Sequence, residues 1–143
     1  MPFEYRFDAS LNCLFTRWIP PLSALDVSVF GESVLSRPEM DERTARLNDL
    51  RALTGEMLTA DVRSLAEGMT RWDRRTPPHR AAHIVGTELV FGLTRIFQTV
   101  RGAGGEKMAV FRNVDEALRW LALPEELGDP FAADRWEPEG EGP

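Results

Sequence analysis

Two histidines, one cysteine, one glycine-rich turn and one Asp-Leu-Arg segment are the places where this sequence could do chemistry. His79 and His83 have the spacing that on a helix would bring two imidazoles to one metal ion. Pro77-Pro78 and the apolar residues after His79 point to a strand instead. Four residues of strand separate the two rings by about 13 Å at ~3.3 Å per residue. Nitrogens that far apart cannot share a zinc ion at ~2.0–2.1 Å each, so no metal site is expected and His83 reads as a sheet-face histidine. Cys13 lies among apolar neighbours with no helix start to lower its pKa. No G-x-S-x-G elbow is present, and no nucleophile, base and orienting group assemble a catalytic set. Gly102-Ala103-Gly104-Gly105-Glu106-Lys107 is rich in glycine, but Lys107 leads into a strand. A phosphate loop needs a Ser or Thr opening a helix there, so the segment reads as a turn.

What remains is an edge. In open α/β sheets, ligands favour the crevice where parallel strands end and helices begin, because helix starts present unpaired N–H groups. Here that edge collects Asp49, Arg51, Thr54, Gly86, Thr87 and Arg112. Asp49 facing Arg51 reads first as an internal ion pair and second as part of a ligand site. Gly92 and Arg95, on the helix opened by Thr87, complete the candidate ligand- or partner-binding residues. A glycine inside a helix costs about 1 kcal/mol against alanine, so Gly92 is expected to permit close packing or the approach of a ligand.

The elements that must position these residues follow from hydrophobic spacing. Phe3, Tyr5 and Phe7 alternate with charged residues, which is the period of a half-buried strand. Leu11 to Trp18 forms a second strand, joined through Ala9-Ser10 as a hairpin and stopped by Pro20-Pro21. Ser23 and Asp26 have capping-box spacing and open a helix with Leu22, Leu25, Val29 and Phe30 on one side, ending near Ser36. Arg43 to Leu50 is a third strand. Thr59 caps a helix whose Val62, Leu65, Met69 and Trp72 face the core. Arg80 to Gly86 is a short buried strand. Thr87 caps a helix with a stripe of Leu89, Leu93, Ile96, Phe97 and Val100. Lys107 to Phe111 is the fifth strand, and Asn113 with Glu116 opens a last helix with Ala117, Leu118 and Leu121 inward. The order β-β-α-β-α-β-α-β-α implies an α/β fold with a mixed, largely parallel five-stranded sheet and four main helices.

Composition adds exclusions. The chain has 143 residues, 43% of them hydrophobic, and a formal net charge of −6. Residues 124–143 hold seven acids and one base, so all the net charge sits there and residues 1–123 sum to zero. A neutral body with an acidic end lacks the basic face that nucleic acids or anionic membranes require. No apolar run approaches the ~18 residues of a membrane span. Of the 17 basic residues all but Lys107 are arginine, which reads as a general preference for that residue. A single cysteine excludes an intrachain disulfide, and Met1-Pro2-Phe3-Glu4 has no signal-peptide character, so a reducing cytoplasm is expected. Residues 1–123 are expected to form the domain, and the Pro-, Gly- and acid-rich residues 124–143 a tail unable to fold alone. Within it, Phe131 and Trp136 either stay in water or anchor the tail on its own body or on a neighbour.

Three segments resemble the STAS domain superfamily, specifically its SpoIIAA-like group, sometimes grouped with CRAL-TRIO lipid-binding folds. They are Leu47-Asn48-Asp49-Leu50-Arg51, Phe91-Gly92-Leu93-Thr94-Arg95-Ile96-Phe97, and the strand-to-helix segment Phe111 to Leu121. The resemblance spans about residues 3–122 and implies a mixed sheet with helices packed against it. In signalling members a serine in an Asp-Ser-x-Gly segment is phosphorylated, which switches binding to an anti-sigma-factor kinase. Here Thr54 and Thr59 are the only hydroxyls between residues 50 and 61 and neither stands in that motif, so the switch is not carried over. The functional expectation is a non-enzymatic cytoplasmic module that binds a protein partner or a second copy of itself. The alternative is a binding protein or sensor for a small apolar or anionic, lipid-like ligand held between sheet and helices. No cofactor is called for.

Overall fold

The computed structural model describes residues 3–55, 62–64, 66–67, 80–101 and 107–141. The helix cap expected at Thr59, the inward Leu65, Met69 and Trp72, His79 and the turn at 102–105 lie outside the described residues.

The expected hairpin is present. Strand β1 (Phe3–Asp8) pairs antiparallel with β2 (Cys13–Trp18), Phe3 opposite Trp18 and Asp8 opposite Cys13. Helix α1 (Ala24–Phe30) starts at the expected capping box, with the Ser23 side chain and the Asp26 carboxylate each accepting from the other's backbone N–H. It continues as a π-helical turn, Gly31–Leu35, and ends at Ser36. Strand β3 (Ala45–Asp49) is shorter than expected because Thr44 belongs to the preceding loop. There its hydroxyl accepts the Asp41 N–H at 2.9 Å and donates to Asn12 Oδ1 at 2.8 Å. Strand β4 (Arg80–Ile84), helix α2 (Glu88–Arg101), strand β5 (Met108–Phe111) and helix α3 (Val114–Trp120) follow in the expected order. Residues 62–64 and 66–67 are helical. Asn113 accepts the Glu116 N–H at 2.9 Å, the Asn half of the box expected there.

The sheet runs β5-β4-β3-β2-β1-β6, where β6 is the two-residue strand Gly140–Glu141. Strands β2 to β5 are parallel neighbours, and β1 is antiparallel to both β2 and β6. The fold is therefore α/β with a mixed sheet of five main strands, to which the chain end adds a short sixth.

Alternation along the strands gives the sheet two dry faces. One carries Cys13, Phe15, Leu47, Ala82 and Ile84 and packs against Ala117, Leu118 and Leu121 of the α3 region. The other carries Phe3, Leu14 and Trp18 and packs against Phe30, Val34 and Leu35. Phe30 stands nearly edge-on to Phe3, with ring centroids 5.3 Å apart, and lies 4.9 Å from Trp18. Aromatic pairs prefer such tilted contacts because ring edge and ring face carry opposite partial charge.

Two expected inward residues point out. Leu25 is 72% exposed and Leu89 58%. In α1 the buried face is set by Phe30 and, across the π turn, by Val34 and Leu35, and Leu25 lies off that line. In α2 the buried positions are Val90 and Thr94, one step round from the expected stripe.

Residues 124–141 do not trail into water. Phe131 and Trp136 are buried in the same cluster as Phe15, Leu47 and Ala82. Phe131 meets Phe15 edge to face at 6.1 Å and Trp136 at 5.0 Å. The Arg17 guanidinium lies over the Trp136 ring at 5.2 Å and donates to the Phe131 carbonyl. Of the fates open to these two aromatics, anchoring on their own body is the one observed.

Candidate functional site

The strand-end edge forms, and it is closed by ion pairs. Arg51 donates to Asp49 through Nε at 2.8 Å and Nη2 at 3.2 Å. It donates to Asp129 through Nη1 at 3.0 Å and Nη2 at 3.2 Å. Paired, two-pronged contacts of this kind are the strong form of a guanidinium–carboxylate bond. The hydrogen bonds that Arg51 donates to Asp49, followed by those to Asp129, hold its pKa above its ordinary value against the opposing effect of burial. Burial pushes Asp129 up, but the Arg51 and Phe131 N–H hydrogen bonds outweigh it, so its pKa lies below the usual carboxylate range. Arg17 adds a second cation 3.8 Å from Asp49.

The other expected site residues divide around this knot. A Cβ on Gly86 would sit 3.1 Å from the Arg51 carbonyl oxygen, so glycine lets the turn after β4 approach that backbone. The Thr87 hydroxyl accepts the Val90 N–H at 3.1 Å as the cap of α2. Thr54 is exposed, and so are Gly92 and Arg95 on α2. The close packing expected at Gly92 is absent: a Cβ there would meet nothing within 4 Å. Arg112 pairs with Glu88 at 2.7 and 2.9 Å and lies over the Phe91 ring, which occupies it at the surface. The edge thus unites Asp49, Arg51 and Gly86 with Asp129 of the chain end, and leaves Thr54, Gly92 and Arg95 outside.

The second site is a cavity of about 130 Å³ between the sheet and helices α1 and α2. Its walls are mostly apolar: Trp18 from β2, Val27 and Phe30 from α1, Leu50 and Leu53 after β3, and Val90, Leu93 and Phe97 from α2. Arg46, Asn48 and His83 also line it. These three come from the sheet face that α1 and α2 cover, because residues two apart on a strand share a face. Parallel register places Thr16 beside Asn48 and Asn48 beside His83, so one row across β2, β3 and β4 is polar and buried. The Trp18 indole N–H donates to Asn48 Oδ1 at 3.4 Å. Asn48 Nδ2 and Thr16 Oγ1 have no hydrogen-bond partner among the described residues. The His83 ring stands edge-to-face with Phe97 at 6.4 Å, and the Arg46 guanidinium lies 5.5 Å from the Phe30 ring centre. The Thr94 hydroxyl turns back to the Val90 carbonyl at 2.7 Å, a bond within its own helix.

Sequence reasoning singled out none of Trp18, Arg46 and Asn48 as site residues. A signal for Asn48 exists: it puts an amide at the centre of a parallel strand, where near-continuous apolar character is the rule. Cys13 lies on the opposite sheet face, fully buried, and burial foremost, with Asp8 adding to it, pushes its thiol pKa up. Among the described residues no group of three or more His, Cys, Asp or Glu side chains is placed to hold a metal ion. No described helix is long and apolar enough to cross a membrane. No protein-family model, curated protein or solved structure matches the chain.

Proposed function

We propose that the chain is a non-enzymatic binding module for a small, largely apolar ligand held between the sheet and helices α1 and α2. The observation that carries this reading is the cavity itself. Interiors are packed with few voids larger than a water molecule. An engineered cavity of roughly 150 Å³ lined by Leu, Ile and Phe stays dry and takes up benzene or xenon. A half-open apolar pocket of similar volume, walled by Trp18, Phe30, Phe97 and aliphatic side chains, suits a one-ring or short branched molecule. The first expectation from the sequence, a module that docks a protein partner, rests on a neutral body without a catalytic constellation, an Arg- and Trp-bearing helix and an aromatic tail. Phe131 and Trp136 are engaged in their own body, and Leu25 and Leu89 are single exposed apolar side chains of a kind normal on any surface.

The test is a toluene titration followed by amide NMR. Saturable shifts concentrated at Trp18, Phe30, Val90 and Phe97, and abolished by Val90→Phe, support the reading. Absence of saturable shifts up to the solubility of toluene refutes it.

A further inference from the structure

The polar row beneath the cavity is hard to explain by folding alone. A buried donor or acceptor left unsatisfied is destabilising, and native structures hold few of them. Here two lie side by side on neighbouring strands, Thr16 Oγ1 on β2 and Asn48 Nδ2 on β3, on the sheet face that also carries Arg46 and His83 and is covered by the apolar Trp18 and Phe30 rings. Asn48 is 1% exposed and lines the cavity. Its Oδ1 is taken by the Trp18 indole N–H. The atom it has left to offer is therefore a donor, and an apolar side chain at the position would avoid that cost.

We propose that Asn48 is the specificity-determining residue of the cavity, and that the ligand is a small apolar molecule carrying one neutral acceptor oxygen of the carbonyl kind, received by Asn48 Nδ2. This rests on the reading of the cavity as a ligand site. The acceptor is neutral because the group that receives it is an uncharged amide, while the Arg46 guanidinium, which also lines the cavity, faces the Phe30 ring. The ligand needs no donor there, because the Trp18 indole N–H already occupies the Asn48 oxygen.

Acetophenone and α-methylstyrene form a matched pair of probes, with the same shape and C=O exchanged for C=CH2. Dissociation constants for both are measured on the full chain and on its Asn48→Leu variant. The selectivity for acetophenone over α-methylstyrene falls about five- to tenfold in the variant, the equivalent of one net hydrogen bond. Comparing the two proteins cancels the different water solubility of the probes. An unchanged selectivity overturns the role of Asn48 while leaving the ligand site standing. Failure of both probes to bind the natural chain overturns the site and this inference together. Should Asn48→Leu fail to fold, the infrared carbonyl stretch of ¹³C-labelled acetophenone bound to the natural chain decides. A stretch lowered to hydrogen-bonded values supports the contact, and the stretch found in hexane overturns it.

Discussion

Replacing Phe131 by alanine tests whether the chain end belongs to the cooperative core. The ring is 2% exposed and touches Phe15 on the sheet, Trp136 in its own segment and the Arg17 guanidinium. Truncation of a buried phenylalanine costs about 3–5 kcal/mol, the transfer free energy of the ring plus the cavity it leaves. The chain end can partly collapse into that space, which places the expectation near the lower limit, about 3 kcal/mol. For a body of this size each kcal/mol lowers Tm by roughly 4 °C, so the variant should melt about 10–15 °C below the natural chain. Urea unfolding supplies the free energy and a thermal scan the shift. The midpoint should fall with an unchanged m-value, since the same surface is exposed on unfolding. A loss below about 1 kcal/mol, or an early transition involving only the chain end, would refute the reasoning. Residues 124–141 would then be an appendage that docks on a body stable without them.

Three further outcomes follow from particular contacts. Asp129 has its pKa held below the unfolded value by Arg51, so its contribution is present above about pH 4 and is lost as pH falls through the folded value. Proteolysis of the chain end should accelerate on acidification through that window, and Asp129→Asn should show the faster cleavage already at pH 7. Gly92→Ala should stabilise by about 0.5–1 kcal/mol, measured by urea unfolding, because the methyl group meets open space and the helix gains in propensity; a loss of stability would contradict the exposed setting. Cys13 should resist thiol-labelling reagents in the folded protein at pH 8 and react on addition of urea, since the thiol is buried and its pKa raised.

The residues that were legible in the sequence are those whose structure is set locally. Period-two alternation in Phe3, Tyr5 and Phe7 marks β1, and the spacing of Ser23 and Asp26 marks the start of α1. The alternation of strands and helices yields the parallel order of β2 to β5. The phase of the helices was less legible. The π turn after Phe30 inserts a residue into the helical repeat and turns Val34 and Leu35 inward, a shift that no 3.6-residue pattern carries.

Contacts between distant residues were not legible. Arg51 is held by Asp129, 78 positions away, so the ion-paired edge could be located at Asp49 and Arg51 but not seen to be closed. Phe131 and Trp136 sit in an acidic, proline-containing stretch whose composition describes a free tail, yet two buried rings and the Arg17 contact hold it. The cavity is a property of separated elements, the sheet from β2 to β5 with α1 and α2, and its volume is written in none of them. Asn48 shows in the sequence only as one polar residue beside Asp49, and its place under the cavity depends on the register of β3 against β2 and β4.

The account stands on the cavity between the sheet and helices α1 and α2 being a real, apolar, accessible space. Diffraction from a crystal held under xenon tests it most directly, because xenon enters dry apolar cavities and scatters strongly. The account predicts a xenon peak enclosed by Trp18, Phe30, Val90 and Phe97. A crystal in which these side chains close upon one another, with no xenon between them, would contradict it.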